Sequence, residues 1–275
     1  MWRAARLKKQ SFLSLPSTRR LRRLGQLVFH TSLLAAFALG GLALVPGLGR
    51  AQPSMGAHWQ ASYLQPLPPK LVPKTSQAVR LASLAPQQCI KELTRRKLGV
   101  TRSKGVAVGV ATPLRVTSEI AGVRFVTPGR KSPYGILDCR LALALSELAP
   151  ILLRHGVVEV RVDNMYRPRA HLPGKRKASQ HAHGLAIDMT RFKLQDGTEL
   201  IIERDFHGAI GEPVCGAEAR ARPELPSEAG KLRDLICEVA RSQLFHHILT
   251  PNHDAAHRDH FHLDIARGAR TLLVE

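Results

Sequence analysis

Apolar residues along the middle of the chain change period several times, and each change marks an element. Leu137, Leu141, Leu145, Leu148 and Leu152 recur at helical spacing, with Gly156 as the stop and Pro150 as a possible kink. Val158, Val160 and Val162 alternate with Glu159, Arg161 and Asp163, the pattern of a half-buried strand. Leu185–Leu194 and Glu199–Phe206 read as two strands joined at Asp196-Gly197. A second helix is expected after Ser227, burying Leu232, Leu235, Ile236 and Val239. The run from His260 to Ile265 alternates strictly and reads as a further strand. Helices segregated from a mainly antiparallel sheet define an α+β class.

Before this region the pattern is different. A basic stretch ends at Arg23, an apolar run extends from about Leu27 to Val45, and Gly49-Arg50-Ala51 offers small residues for cleavage after Ala51. Residues 1–51 are therefore expected to be an export signal or, uncleaved, a membrane anchor. The paired arginines faintly resemble a twin-arginine signal. Residues 52–85 carry Pro66, Pro68, Pro69 and Pro73 and are expected to form a linker, with the folded domain spanning 86–275. The working compartment is then outside the cytoplasm, in the periplasm or cell envelope.

Charge adds less than its total suggests. The formal net charge is +20, but residues 1–51 hold nine Lys/Arg and no acid, leaving 32 basic against 21 acidic residues. The remainder is a spread basic surface without a nucleic-acid-binding motif, so nucleic acid is not an expected partner. Attraction to an anionic wall polymer is compatible with it. Four cysteines, Cys89, Cys139, Cys215 and Cys237, all follow the leader and contain no C-x-x-C pair, which favours two disulfides over a metal site. Order along the chain favours Cys89–Cys139 and Cys215–Cys237, although connectivity does not follow from sequence. Nothing in the chain sets an oligomeric state.

Chemistry concentrates in two segments. In Ser179-Gln-His-Ala-His-Gly-Leu-Ala-Ile-Asp188, a His precedes a tight turn and an Asp lies inside the strand that follows. A mid-strand carboxylate among apolar residues is costly unless a cation or good hydrogen bonds face it. In His257-Arg-Asp-His260-Phe-His262-Leu-Asp264, alternation sends Phe261, Leu263 and Ile265 to one face and His260, His262 and Asp264 to the other. His181, Asp188 and His262 supply the three N and O donors that a catalytic zinc takes, with a fourth position left for water. Asp264 is a candidate acceptor for an imidazole N–H, and Ser179 is placed to brace the turn around His181. His183 reads as a solvent-side neighbour, and His155, His171, His207, His246, His247 and His253 carry no signal of their own.

The first segment resembles the Ser-x-His-x-x-Gly-x-Ala-x-Asp pattern of the zinc D-Ala-D-Ala carboxypeptidases, and His257, His260 and His262 resemble the end of the murein endopeptidases of the same superfamily. The run from Leu249 to Asp264 is more similar still to the bacterial extensin-like C-terminal domain family. The resemblance spans roughly residues 86–270 and implies a compact zinc-peptidase fold acting on peptidoglycan peptides. It further implies Zn²⁺ on His181, Asp188 and His262, with His260 as base or transition-state stabiliser. Arg167, in a Tyr-Arg pair with Tyr166, is implied to hold a substrate carboxylate or an oxyanion. The carboxypeptidase branch has a Glu where this chain has Asp259. Alternation turns Asp259 away from His260 and His262, so His260 is the favoured base and Asp259 its alternative. A catalytically inactive module that keeps the zinc fold and binds the wall is the competing expectation.

Overall fold

A computed structural model describes residues 63–129, 131–216, 218–219 and 225–275. The leader expected over residues 1–51 lies outside the described residues. Among those described, no helix is long and apolar enough to cross a membrane.

Among the described residues ten strands form two sheets. β1 (Val100–Arg102), β2 (Pro113–Val116) and β4 (Ile136–Asp138) make a small antiparallel sheet. The larger, seven-stranded sheet runs β10 (Leu273–Val274), β8 (His247–Leu249), β9 (Phe261–Asp264), β6 (Ala186–Leu194), β5 (Val157–Asn164), β3 (Arg124–Val126), and β7 (Glu199–Ile201) also pairs with β6. Its interior pairings are antiparallel, but β3 runs parallel to β5 and β10 parallel to β8. The sheet is thus mixed, where a mainly antiparallel one was expected. The β3–β5 connection passes through a helix, as a parallel pairing requires.

That helix, Cys139–Arg154, is the centre of the core. Asp138 starts it: the fully buried carboxylate accepts from the Arg140 backbone N–H at 3.0 Å, holds the Arg140 guanidinium at 2.7 Å and takes both the N–H and hydroxyl of Thr112. The cap explains why Leu137, expected in the helix, belongs instead to β4. Leu141, Leu145, Leu148 and Leu152 are completely buried against β5 and the helices Gln77–Ser83, Pro86–Arg96 and Ser227–Arg241. Each such leucine contributes about 2 kcal/mol by leaving water. The helix runs through Pro150 to Arg154, and Gly156 at φ 73° turns the chain into β5.

Two further expectations change. The strand expected over Glu199–Phe206 ends at Ile201, and a short helix, Ile202–Asp205, follows. Ile202 and Phe206 are both buried, and their four-residue spacing is helical, not alternating. Part of the expected linker, residues 63–85, packs on the domain. Tyr63, Val72 and Leu81 are buried, Gln77–Ser83 is helical, and the Val72 N–H bonds to the Arg270 carbonyl. Between the prolines, apolar residues still find the core: Val72 is fully buried and Leu67 packs against the buried cluster.

Cys89 is bonded to Cys139 and Cys215 to Cys237, closing sequence separations of 50 and 22 residues. The first joins the helix Pro86–Arg96 to the start of the central helix, and the pairing is compatible with an exported protein. Loop-closure entropy gives the two bridges about 4 and about 3 kcal/mol. Thiol labelling of denatured, unreduced protein should find no free cysteine, and Cys89→Ala with Cys139→Ala should lower the melting temperature more than the double replacement of Cys215 and Cys237.

Asp234, on the helix Ser227–Arg241, accepts the Tyr63 N–H at 2.8 Å, while its second oxygen is buried without a hydrogen-bond partner among the described residues. Burial pushes its carboxyl up to about 7, against the lowering effect of the Tyr63 hydrogen bond. The folded protein therefore holds a proton that the unfolded chain has released above about pH 4, and stability falls as pH rises from about 4 through about 7. Asp234→Asn keeps the acceptor for Tyr63 and removes this dependence. Denaturant titrations should show the variant gaining on the order of 2 kcal/mol relative to the parent between pH 4.5 and pH 8; parallel curves for the two proteins would contradict this.

Candidate metal centre

Three elements converge on one point. His181 sits in a 3-10 turn, Gln180–His183, and its backbone N–H donates to the Ser179 hydroxyl at 3.3 Å, as expected for a brace. Gly184, at φ 62°, ends the turn. A Cβ there would come within 3.0 Å of the Asp138 nitrogen, so only glycine lets the chain enter β6 against the start of the central helix. Asp188 lies on β6 directly opposite His262 of β9. On β9 the alternation holds: Phe261, Leu263 and Ile265 enter the core, and His262 and Asp264 face the site.

His181, Asp188 and His262 are all buried. His181 Nε2 is 3.1 Å from Asp188 Oδ1 and 3.1 Å from His262 Nδ1, and His262 Nδ1 is 3.0 Å from Asp188 Oδ1. Both rings are oriented from behind. His181 Nδ1 faces the Met165 carbonyl at 3.2 Å, and His262 Nε2 faces Asp264 Oδ2 at 3.2 Å. A carbonyl and a carboxylate only accept, so each of those nitrogens carries the proton and donates. The three inward atoms are then lone-pair donors packed into a triangle, an arrangement stable only around positive charge. A tetrahedral ion with bonds of about 2.0–2.1 Å spaces its donors about 3.3 Å apart, close to this triangle. The donor set fits a divalent cation with one position open.

The local charges agree with this. Burial would raise Asp188, but hydrogen bonds to His181 and His262 hold it well below the usual carboxylate range. Burial lowers His181, and its bond to Asp188 only partly offsets that. Burial would lower His262 too, yet Asp188 and Asp264 on either side of the ring raise it to about 9. The positive charge this pocket favours can be a proton on His262 or a metal ion in its place.

Around the triangle the structure places several residues that pattern reading had passed over. Asn164, at the end of β5 and in register with Asp188, donates to Asp188 Oδ2 at 2.8 Å. Asp264 accepts from His262 with one oxygen and from His247 Nδ1, at 2.7 Å, with the other, so His247 is not the bystander its isolation in sequence suggested. The only sequence signal for Asn164 is a polar residue at the end of an apolar alternation. His183 donates to the Gly109 carbonyl and takes no part in the triangle.

His260 precedes β9, which begins at Phe261, not at His260 as expected. Alternation therefore does not govern residues 259–260, and Asp259 is not turned away from His260. The Asp259 carboxylate accepts from His260 Nδ1 at 2.8 Å, leaving Nε2 free and 3.6 Å from Asp188 Oδ1. His257, held by Asp254, lies beside His260, with ring centroids 5.1 Å apart and ring planes tilted by 42°. Arg167 is tied to the site through its backbone N–H, which bonds to the His181 carbonyl at 3.1 Å, and its side chain is exposed. Its positive charge contributes to lowering His181. Tyr166 is buried, with its hydroxyl on the Val108 carbonyl.

An α+β domain carrying a buried His-Asp-His donor triangle at the junction of a turn and two paired strands is the class that this geometry defines. The family model described as Extensin-like protein C-terminus matches residues 87–273, and the chain belongs to that family. No curated protein and no solved structure matches it.

Metal analysis of the purified protein should give about one divalent ion per chain, as a single three-donor site requires. His181→Ala and His262→Ala should each lose it. Asn164→Ala should keep the ion but bind it some ~10–100-fold more weakly in chelator competition, the usual cost of removing a group that orients a ligand. Full stoichiometry in both histidine variants would remove the triangle from consideration.

Proposed function

We propose that this protein is an exported zinc peptidase of the cell envelope that hydrolyses peptidoglycan stem peptides or their cross-links. The observation that carries the reading is the triangle of His181 Nε2, Asp188 Oδ1 and His262 Nδ1, with mutual distances of 3.0–3.1 Å and both rings held by outer acceptors. Two imidazoles, one carboxylate and an open position are the donor set of catalytic zinc. Bound there, zinc supplies Lewis-acid polarisation of a peptide carbonyl and lowers the pKa of a water toward about 7.

The remaining chemistry falls to side chains of this chain. His260 presents Nε2 at the edge of the triangle and is oriented through Nδ1 by Asp259. It accepts the proton of the attacking water and delivers it to the leaving amine, a role typically contributing roughly 10²–10⁴-fold. Asp259, the alternative base, is engaged as the group that sets the His260 ring and tautomer. Arg167 lies beside the His181 turn with an exposed guanidinium suited to a stem-peptide carboxylate or a developing oxyanion. Two disulfides agree with a periplasmic or envelope location, and the resemblance to murein peptidases supplies the substrate class.

Purified peptidoglycan should be solubilised by the protein, stop being so with a chelator, and be solubilised again when zinc is restored. His260→Ala should keep zinc while losing hydrolysis by ~10²-fold or more, and Asp259→Asn should keep zinc with a smaller loss, on the order of tenfold. An inactive Asp259→Asn beside a nearly normal His260→Ala would reverse these two roles. Zinc retention and wall binding without turnover in the parent protein would favour the inactive wall-binding module instead.

A further inference from the structure

The segment between Arg167 and Lys177 joins β5 to the turn that carries His181. It holds Arg167, Arg169, Lys175, Arg176 and Lys177 and no acidic residue, and all five side chains are exposed. Among the described residues none of the five makes a side-chain hydrogen bond or ion pair. Several exposed arginines elsewhere are paired: Arg95 with Glu92, Arg154 with Glu238, Arg191 with Glu199 and Arg204 with Asp205.

Nor is the segment an unstructured tail. Leu172 N–H bonds to the Lys177 carbonyl and Lys175 N–H to the Leu172 carbonyl. A bridge joins His171 to Ala178, and Ser179 N–H closes the base on the Ala170 carbonyl. Gly174 at φ 65° supplies the turn. At the base, the Arg167 N–H holds the His181 carbonyl, and Ser179 caps the turn bearing His181. A hairpin of fixed backbone thus carries a block of unmatched positive charge out from the metal-site turn. Like charges in one short segment repel one another, and no carboxylate among the described residues pairs with them.

We propose that this hairpin, through Lys175, Arg176 and Lys177 at its tip and Arg169 beside its base, docks the free carboxylates of peptidoglycan stem peptides neighbouring the one being cut. Polymeric wall is then favoured over small soluble fragments as substrate. The inference rests on the peptidase reading for the identity of its partner. A cross-linked wall presents carboxylates in repeated array, whereas a single soluble peptide that fills the cleavage site leaves none for the tip. Holding the polymer at the tip raises the local concentration of scissile bonds at the triangle, without adding any contact at the reacting atoms.

The test uses the whole protein with these four residues replaced by Gln (R169Q, K175Q, R176Q, K177Q), and a companion with the two arginines as Lys (R169K, R176K). Bound zinc, turnover of a soluble stem-peptide fragment, and co-sedimentation with purified sacculi are measured together. The Gln variant is expected to keep full zinc and kcat/KM on the soluble fragment within about twofold, since the tip touches neither ligand nor base. It should bind sacculi at least tenfold more weakly near physiological salt, with a flatter dependence on salt. The all-Lys companion should bind as the parent does, because charge is what the site supplies. Amidating the sacculus carboxylates should reproduce the Gln variant's loss in the parent protein. The proposal is overturned if the Gln variant binds sacculi normally or if amidated sacculi bind as well as untreated ones. It is equally overturned if removal of phosphate polymers, and not amidation, abolishes binding. Parent protein that binds sacculi through the tip yet cuts nothing would defeat the peptidase reading while leaving the docking inference standing.

Discussion

The constraint on which the rest of this structure depends is the burial of an ionised carboxylate, Asp188, in the middle of a strand. A charge taken out of water there is several kcal/mol unfavourable unless opposite charge and hydrogen bonds meet it. The fold answers by bringing His181 from the preceding turn, His262 from the strand paired on one side and Asn164 from the strand on the other. Each of these is held in turn by something outside: the Met165 carbonyl, Asp264 or the β5–β6 register. The same requirement accounts for the raised His262 and the depressed Asp188 and Asp264, which are different views of one pocket selecting positive charge.

Such a pocket needs walls that do not move, and the architecture supplies them. β6 is flanked by β5 and β9, so Asp188 cannot shift without breaking pairing on both sides. The apolar faces of these strands pack with the central helix in one core, and that helix is capped at Asp138, where Gly184 must pass close by. A disulfide pins the beginning of the same helix. Stability and site geometry therefore share one set of contacts, and loss of core packing near Asp138 would be felt at His181 through the glycine turn.

The outer layer of the site has a different character from the triangle. His260, Asp259 and Arg167 are on irregular backbone beside the strands, partly or fully open to solvent, where a substrate can reach them. The triangle sits on paired strands and a capped turn, whereas His260, Asp259 and Arg167 sit on loops. The division follows the usual one between a rigid scaffold and the accessible loops beside it.

Much of this was legible in the sequence. The central and C-terminal helices, β5, β6 and the inward alternation of β9 follow from hydrophobic period, which local backbone geometry imposes. The donor triangle was legible because His181 and Asp188 are near in sequence and His262 stands out on a strongly alternating strand. The disulfide pairing agreed with chain order, although order alone could not decide it. Tertiary structure decided what depends on elements meeting. Asn164 became a partner of Asp188 only through the β5–β6 register, and His247 a partner of Asp264 only through the pairing of β8 with β9. The parallel edges of the sheet, the packing of residues 63–85 and the helical turn at Ile202 were likewise set by distant contacts. So was the corrected place of Asp259, because the start of β9 one residue later than the alternation suggested leaves that carboxylate free to reach back to His260. Period records which face of an element is apolar; which polar groups meet across elements is fixed by register and packing, and neither is written in any local stretch of chain.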